Sequence, residues 1–450
     1  MVAILVLGDF LLAVLAVSAG YAARWQFFPG IKEFFFSHGH RAALFAVVIV
    51  ITSFAVELYN REKNRRQAEI FFRISISIGL TLFGLSALYY LLRPFHLFRG
   101  ELAFTLVFFA VFQFSWHAGC RLFLTLPQMA KRVLILGTGP LADSIGKVLA
   151  GNGYSHVFLG YVSCQGGIHA VPPQEVVNNG EKIIETVRRQ RADQLVVSLS
   201  ERRGVFPLQD VLTCKMSGVE VVDAPSFYEN LTGKILVENI NPSWFIFNDG
   251  FKSTSYRTIF KRPIDVVLAL TGMIICLPLF LVLPFLIAFD SRGPIFYRQV
   301  RFGKDEKKFT LYKFRTMQND AERDTGAVWA QEDDPRITRV GRFLRKTRLD
   351  EIPQLFNVLS GDMSLVGPRP ERPEFVESLK EQIPYYTERH FVKPGVTGWA
   401  QVKYPYGASV DDSMEKLRYD LYYIKRLSAN LDFMIIVDTV RVVLFGRGGR

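Results

Sequence analysis

The chain has 450 residues, 49% of them hydrophobic and 39 of them Phe, a load that argues against an ordinary soluble globular protein. Its net charge of +12, from 54 basic and 42 acidic side chains, suits an anionic partner: lipid headgroups, nucleic acid or a phosphorylated substrate. Four Cys at 120, 164, 214 and 276 form no CxxC pair and seven His show no metal-ligand spacing, which speaks against a disulfide framework or a zinc site and for reduced thiols.

Four apolar stretches, Ile4–Ala22, Ala42–Leu58, Phe71–Leu92 and Leu102–Leu124, are long enough to cross about 30 Å of hydrocarbon, which takes roughly 20 helical residues. The first lacks a basic n-region and a small-residue cleavage site, so it is expected to stay as an anchor. Arg61, Lys63, Arg65 and Arg66 follow the second span, and Lys131 and Arg132 follow the fourth. By the positive-inside rule these segments, the N-terminus and everything after residue 125 are cytoplasmic. Trp25, Tyr89, Tyr90 and Trp116 lie at or near span ends, where amphipathic rings favour the interface. Asp9 lies inside the first span. It either marks a functional site or sits near the cytoplasmic surface and snorkels, the simpler expectation.

Beyond the fourth span, a β-branched run from Arg132 leads into Gly137-x-Gly139-x-x-Ala142 and a helix to Leu149, with Pro140 in its first turn, where no amide N–H is needed. Further strands are expected at Val157–Val162, Gln194–Leu199 and Val219–Val222, with a helix near Pro207–Met216. The alternation predicts a small parallel sheet with helices on its faces, a Rossmann-like middle domain. The glycines could hold a pyrophosphate at the helix N-terminus, but the second strand ends in Ser163-Cys164-Gln165 without the carboxylate a dinucleotide ribose needs. A structural or regulatory domain is the expectation.

Lys261-Arg262-Pro263-Ile264-Asp265 opens another apolar run ending near Phe289, with basic residues on both flanks and Pro278 and Pro284 inside. A true span would put one basic cluster outside, and proline bends a helix. A re-entrant helix over 264–289, bent at Leu277-Pro278, is expected.

Residues 291–405 concentrate charge, Gly and Pro. Ile295–Val300 and Lys308–Phe314 flank Gly303-Lys304-Asp305 as a hairpin ending in Lys313-Phe314-Arg315-Thr316. Asp334-Pro335-Arg336, a basic amphipathic helix through Arg345, Arg348-Leu349-Asp350-Glu351-Ile352-Pro353, and Gly367-Pro368-Arg369-Pro370 follow. Phosphoryl transfer from a diphosphate needs cations, and a carboxylate can act as nucleophile while a second holds Mg²⁺. Asp350-Glu351 offers such a pair, with Arg345, Arg348 and Arg369 as candidates to surround it. Spacing alone leaves a helix cap and a solvated Glu as an equal alternative.

Six motifs in order resemble the bacterial sugar transferase family, the monotopic phosphoglycosyl transferases. They are Lys261-Arg262 with the bent helix, Tyr312-Lys313-Phe314-Arg315-Thr316-Met317, Asp334-Pro335-Arg336, Leu349-Asp350-Glu351-Ile352-Pro353-Gln354-Leu355, Gly367-Pro368-Arg369-Pro370 and Lys393-Pro394-Gly395-Val396-Thr397-Gly398. The layout resembles the large members of exopolysaccharide synthesis: four transmembrane helices over 1–126, the Rossmann-like domain over 127–250, and a compact α+β transferase domain with the re-entrant helix over 251–450. The resemblance implies a multi-pass protein of the bacterial cytoplasmic membrane, its soluble domains facing the cytoplasm. A UDP-sugar and polyprenyl phosphate are the implied substrates, the lipid bilayer the surrounding partner and Mg²⁺ the cofactor; a homodimer is plausible, and nucleic acid is no partner. Asp350 would be the nucleophile, Glu351 the Mg²⁺ ligand, and Lys313, Arg315, Arg345 and Arg369 phosphate contacts. Where the family usually has Ser-Pro at the bend, this chain has Leu277-Pro278. Leu431–Phe445 is expected to form an interfacial or interdomain helix.

Membrane-bound nucleotide-sugar dehydratases also place four spans before a Rossmann domain, but need Tyr-x-x-x-Lys, and the only such spacing, Tyr59/Lys63, precedes that domain. A catalytically dead scaffold is the non-enzyme alternative.

Overall fold

A computed structural model describes the chain except residues 1, 27–30, 57, 60–66, 92–96, 125–129, 152–155, 165–169, 179–180, 200–205, 240–249, 252–255, 320, 322–333, 405–406, 408 and 446–450. The basic connector Arg61 to Arg66 lies outside the described residues. Two compact units emerge, Met1–Ala224 and Pro225–Arg450.

In the first unit, α1 (Val2–Trp25), α2 (Ile31–Ala55), α3 (Gln67–Leu91) and α4 (Arg99–Leu124) are long and apolar enough to cross a membrane. Ala13, Ala16, Ala42 and Ala46 are fully buried among Phe45, Ile49, Leu85 and Phe109, small residues that let helices without water between them approach closely. Asp9 does not snorkel. It is fully buried; its Oδ2 accepts from Tyr59 OH at 2.9 Å and Gln113 Nε2 at 2.7 Å, and His117 Nε2 lies 3.1 Å from both oxygens. Three donors from distant segments satisfy in place what snorkelling would have taken to water. A polar ladder continues through Ser53, Ser77, Thr52 and Thr81.

The same unit carries β1 (Lys131–Leu136), α5 (Pro140–Gly151), β2 (His156–Val162), α6 (Ile183–Gln190), β3 (Gln194–Val197), α7 (Leu208–Met216) and β4 (Glu220–Asp223). The strands form one parallel sheet in the order β2-β1-β3-β4. Val133 to Leu136 and Leu195 to Val197 are all buried, as a sheet covered on both faces requires. Gly137 takes φ +121°, with its Cα against the Ser198 carbonyl, a turn that excludes any Cβ. All four cysteines are free.

In the second unit, α8 (Ala224–Thr232) presents Glu229, whose carboxylate binds Lys425 and Arg426, and the Trp399 indole donates to Gly233 O at 2.8 Å. Residues 225–239 therefore pack on the C-terminal helices. α9 (Lys261–Ile275) and α10 (Leu277–Asp290) are apolar and meet at 59°. The break falls at Cys276, two residues before Pro278, which brings no N–H and crowds the Ile274 carbonyl. The Cys276 N–H donates to Gly272 O and its carbonyl accepts from Phe280, so both helices close at the bend without the serine hydroxyl. Ile274, Ile275, Leu277, Leu281, Phe285 and Phe289 are 55–89% exposed.

The rest of the unit comprises β5 (Phe296–Phe302), β6 (Lys308–Phe314), α11 (Arg339–Thr347), α12 (Gln354–Ser360), β7 (Ser364–Val366), α13 (Pro373–Gln382), β8 (Gly395–Thr397), α14 (Trp399–Lys403), α15 (Val410–Lys425) and α16 (Ala429–Phe445). β5 and β6 pair antiparallel as the expected hairpin, and β7 and β8 pair parallel. Gly367 and Gly395 touch backbone to backbone there, where a Cβ on either would collide. α16 buries Leu431 and Ile435 in this unit's own core, and Met434 is buried as well, so its apolar residues pack within the second unit. Its Asp432 accepts from Tyr423 OH and Tyr256 OH, each at 2.7 Å, and pairs with Lys261.

Candidate active site

The opening motif of the bent helices proves to be an anchor. Arg262 donates to the Val358 and Leu359 carbonyls at 2.5 and 2.8 Å, satisfying the C-terminal end of α12, and Asp265 accepts from the Leu365 N–H at 3.1 Å. From α12, Asn357 accepts from the Tyr312 N–H at 3.1 Å and donates to Thr310 O at 2.7 Å. It stands in for a neighbouring strand along β6 and so fixes the strand that carries Lys313. No sequence signal marked Asn357, because its bonds are to backbone 45 and 47 residues away.

α11 is capped by Thr338, whose hydroxyl accepts from the Gly341 N–H at 3.0 Å. Asp290, at the end of α10, also accepts from the Val340 N–H at 2.8 Å. Asp334 forms a two-pronged pair with Arg336 at 2.8 and 2.6 Å, whose hydrogen bonds hold its carboxyl below the usual range. α11 ends where Arg348 turns into the left-handed region at φ +56°, and the reversal leads into a single 3₁₀ turn, Leu349–Glu351. Asp350 and Glu351 are thus set on a short turn before α12.

Both are buried, at 7% and 9% exposure, yet their surroundings differ. Glu351 Oε1 accepts from Lys313 Nζ at 2.9 Å and Arg369 Nη2 at 3.0 Å. Asp350 lies 3.9 Å from the same Lys313 Nζ. Burial pushes Asp350 above the ordinary carboxylate value, with Lys313 opposing it. Burial also works against the Glu351 anion, but Lys313 and Arg369 outweigh it and hold that carboxyl well below its usual range. Burial lowers the Arg348 guanidinium, which Glu351 and Asp350 help to keep charged. Arg345 donates through Nε to Thr316 Oγ1 at 2.9 Å and adds its charge to the field on Asp350.

Of the predicted site residues, Asp350, Glu351, Lys313, Arg345 and Arg369 come together. Arg315 does not. Its Nη2 donates to Ser291 O at 2.5 Å and Ser291 Oγ at 2.8 Å, tying down the turn after α10. Strand alternation alone would place it beside Lys313, but β6 ends at Phe314 and the chain turns. Leu277-Pro278 lies at the bend rather than among these groups.

Among the described residues, no three His, Cys, Asp or Glu side chains converge on one point. Two adjacent buried carboxylates nevertheless fit Mg²⁺, which binds through one or two carboxylates and takes substrate phosphates and waters for its remaining positions.

The profile described as bacterial sugar transferase matches residues 256–446, the stretch that holds this constellation. A protein named exopolysaccharide production protein PSS, from Rhizobium leguminosarum bv. phaseoli, is 38% identical over 187 residues, 40% of this chain and 94% of its own length. This chain belongs to the bacterial sugar transferase family. The UDP-N-acetylgalactosamine-undecaprenyl-phosphate N-acetylgalactosaminephosphotransferase of Aeromonas hydrophila is 41% identical over 237 residues, 53% of this chain. The UDP-glucose:undecaprenyl-phosphate glucose-1-phosphate transferase of Xanthomonas campestris pv. campestris is 35% identical over 270 residues, 59% of this chain. The match spans 55% of each of these two relatives, about half their length.

Proposed function

We propose that this chain transfers a sugar-1-phosphate from a UDP-sugar to polyprenyl phosphate through a covalent intermediate on Asp350. The observation that carries the proposal is the asymmetry of the dyad. Glu351 takes both short contacts, from Lys313 and Arg369, and Asp350 stands 3.9 Å from Lys313 alone, a buried carboxylate of the kind that can act as a nucleophile.

An Asp350 oxygen attacks the β-phosphorus of the donor, and the bond from that phosphorus to the bridging oxygen breaks. UMP leaves with the electron pair, and the sugar-phosphate stays on the carboxylate as an acyl phosphodiester. A phosphate oxygen of the polyprenyl acceptor then attacks the same phosphorus, and the Asp350 carboxylate departs unchanged. Lys313, Arg345 and Arg369 offset the charge that builds on the equatorial oxygens, in a site where burial strengthens each contact. Glu351 would hold Mg²⁺, which when bound would act as a Lewis acid on the diphosphate oxygens. The exposed apolar faces of α9 and α10 and their 59° bend support a helix pair that enters one leaflet and returns, leaving the dyad at the cytoplasmic surface where a lipid phosphate resides. Labelling of Cys variants placed after residue 300 from the cytoplasmic side only is the expected result; labelling from outside would sink this topology. Initiation of exopolysaccharide assembly would follow from a polyprenyl-diphospho-sugar product.

The test uses the full chain with Mg²⁺, undecaprenyl phosphate and a panel of UDP-sugars, UDP-N-acetylgalactosamine and UDP-glucose first because two relatives carry those names. UMP release that Asp350→Asn abolishes is the expected result. No UMP from folded protein with any donor would favour a scaffold, and release surviving in the variant would remove Asp350 from the nucleophile role.

A further inference from the structure

Arg369 stands on a segment with no helix or strand of its own, between β7 and α13, and two of its residues are prolines without an N–H. Something else must hold it. Four successive carbonyls are each bound. Pro368 O accepts from the Gly395 N–H at 2.8 Å, and Arg369 O from Arg389 Nη2 at 3.2 Å. Pro370 O accepts from Arg301 Nη1 at 3.2 Å and Glu371 O from the Phe302 N–H at 3.1 Å.

We propose that Arg389, with Arg301 beside it, is a positioning residue whose buried guanidinium clamps this turn and so fixes the Arg369 side chain on Glu351. Arg389 is 3% exposed and touches neither carboxylate of the dyad. Its fork also reaches Tyr386 OH and Asp420 Oδ2, each at 2.7 Å. Asp420, itself buried, keeps the cation charged inside the core, where an unpaired guanidinium would not be tolerated. Glu371 lies between the two clamps, 3.7 Å from Arg301 and 4.0 Å from Arg389. The target of the clamp is the carbonyl of the residue whose side chain meets Glu351, so an error in the turn is carried to the dyad. A misplacement of about 1 Å costs on the order of 10²-fold in rate at such sites.

The catalytic half of this inference rests on the function proposed above, and two measurements separate the two. In R389K the charge facing Asp420 is kept, but a single ammonium nitrogen cannot reproduce the spacing between Nη1 on Tyr386 and Nη2 on Asp420 and the Arg369 carbonyl. Amide hydrogen exchange at Gly395 and Phe302, whose N–H groups donate to Pro368 O and Glu371 O of this turn, in full-length protein in lipid nanodiscs without substrate, is expected to quicken about 10-fold in R389K while α15 keeps its protection. Unchanged exchange would overturn the clamp, whatever the protein's activity. UMP release then tests the consequence. R389K is expected to lower kcat about 10-fold with KM within about twofold, and to lose that effect in an R369Q background. Equal fold losses in both backgrounds would overturn positioning through Arg369. Should R389K lose the α15 protection, D420N takes its place with the same expectations and the same overturning results. Wild-type protein that releases no UMP counts against the proposed function alone, and exchange still decides the clamp.

Discussion

Asp9 and Asp350 are both buried aspartates in one chain, and they are buried for opposite ends. Around Asp9 stand a phenol, an amide and an imidazole, every one within 3.1 Å. Around Asp350 stand Lys313, Arg345 and Arg369, with the close contacts made to Glu351 instead. The first environment saturates a carboxylate and ties three segments of the helix bundle together. The second surrounds one with positive charge and gives the short contacts to its neighbour, the arrangement on which the proposed nucleophile rests. Burial of an acid in an apolar setting does not by itself mark chemistry; the partners decide.

The largest effects should come from the transferase dyad. Asp350→Asn keeps the shape and removes the proposed nucleophile, so UMP release should fall at least about 10³-fold, with folding unchanged by circular dichroism. Glu351→Gln leaves Lys313 and Arg369 without their shared anion, and a loss of about 10²-fold is expected, together with a weaker response to added Mg²⁺ in a metal titration. A Glu351→Gln enzyme with wild-type rate and metal response would break the division of labour between the two acids.

Asp9 should behave in the opposite way. Asp9→Leu leaves the Tyr59, Gln113 and His117 donors without their acceptor in an apolar bundle, a loss of about 2–4 kcal/mol. Thermal unfolding of detergent-solubilised protein should shift down accordingly, while UMP release per folded molecule, assayed well below that transition, stays within about twofold. Loss of activity in folded Asp9→Leu would dissolve the contrast and give the bundle a part in catalysis.

How legible these regions were follows from the distance over which each residue acts. The spans and the strands of the parallel sheet announce themselves through runs and alternation a few residues long. The dyad was legible because Asp350 and Glu351 are adjacent and belong to an ordered set of motifs. Asp9 misled because its partners lie 50, 104 and 108 residues away, and a lone acid in a span carries no sign of them. Arg315, which the resemblance gives as a phosphate contact, bonds Ser291, 24 residues away, a partner that no local pattern marks. Arg262 and Asn357 act on backbone groups 45 to 97 residues distant, and such bonds leave no side-chain partner to notice; Arg389 reaches the Arg369 carbonyl over 20 residues and Asp420 over 31.

The subtlest expected effect separates the field of the dyad from its geometry. Lys313 is the strongest influence opposing burial on Asp350. In Lys313→Gln that opposition is gone, so the Asp350 carboxyl holds its proton to higher pH and less of it is ionised at any given acidic pH. The acid limb of the UMP-release profile is expected above the ordinary aspartate range because burial raises Asp350, and should move further up in the variant. Glu351 keeps Arg369 at 3.0 Å but loses Lys313, so its own carboxyl is pushed up as well, and Lys313→Arg, which keeps the charge, is the control. Arg345→Gln should move the limb in the same direction by less, since Arg345 acts on Asp350 more weakly than Lys313 does. The plateau also drops in both variants because each loses a cation facing the phosphates, but plateau height and limb position are read independently from one profile. A limb that stays in place in Lys313→Gln would mean that the titrating group is not Asp350, and the contrast between a saturated acid and a reactive one would then need a different reactive partner.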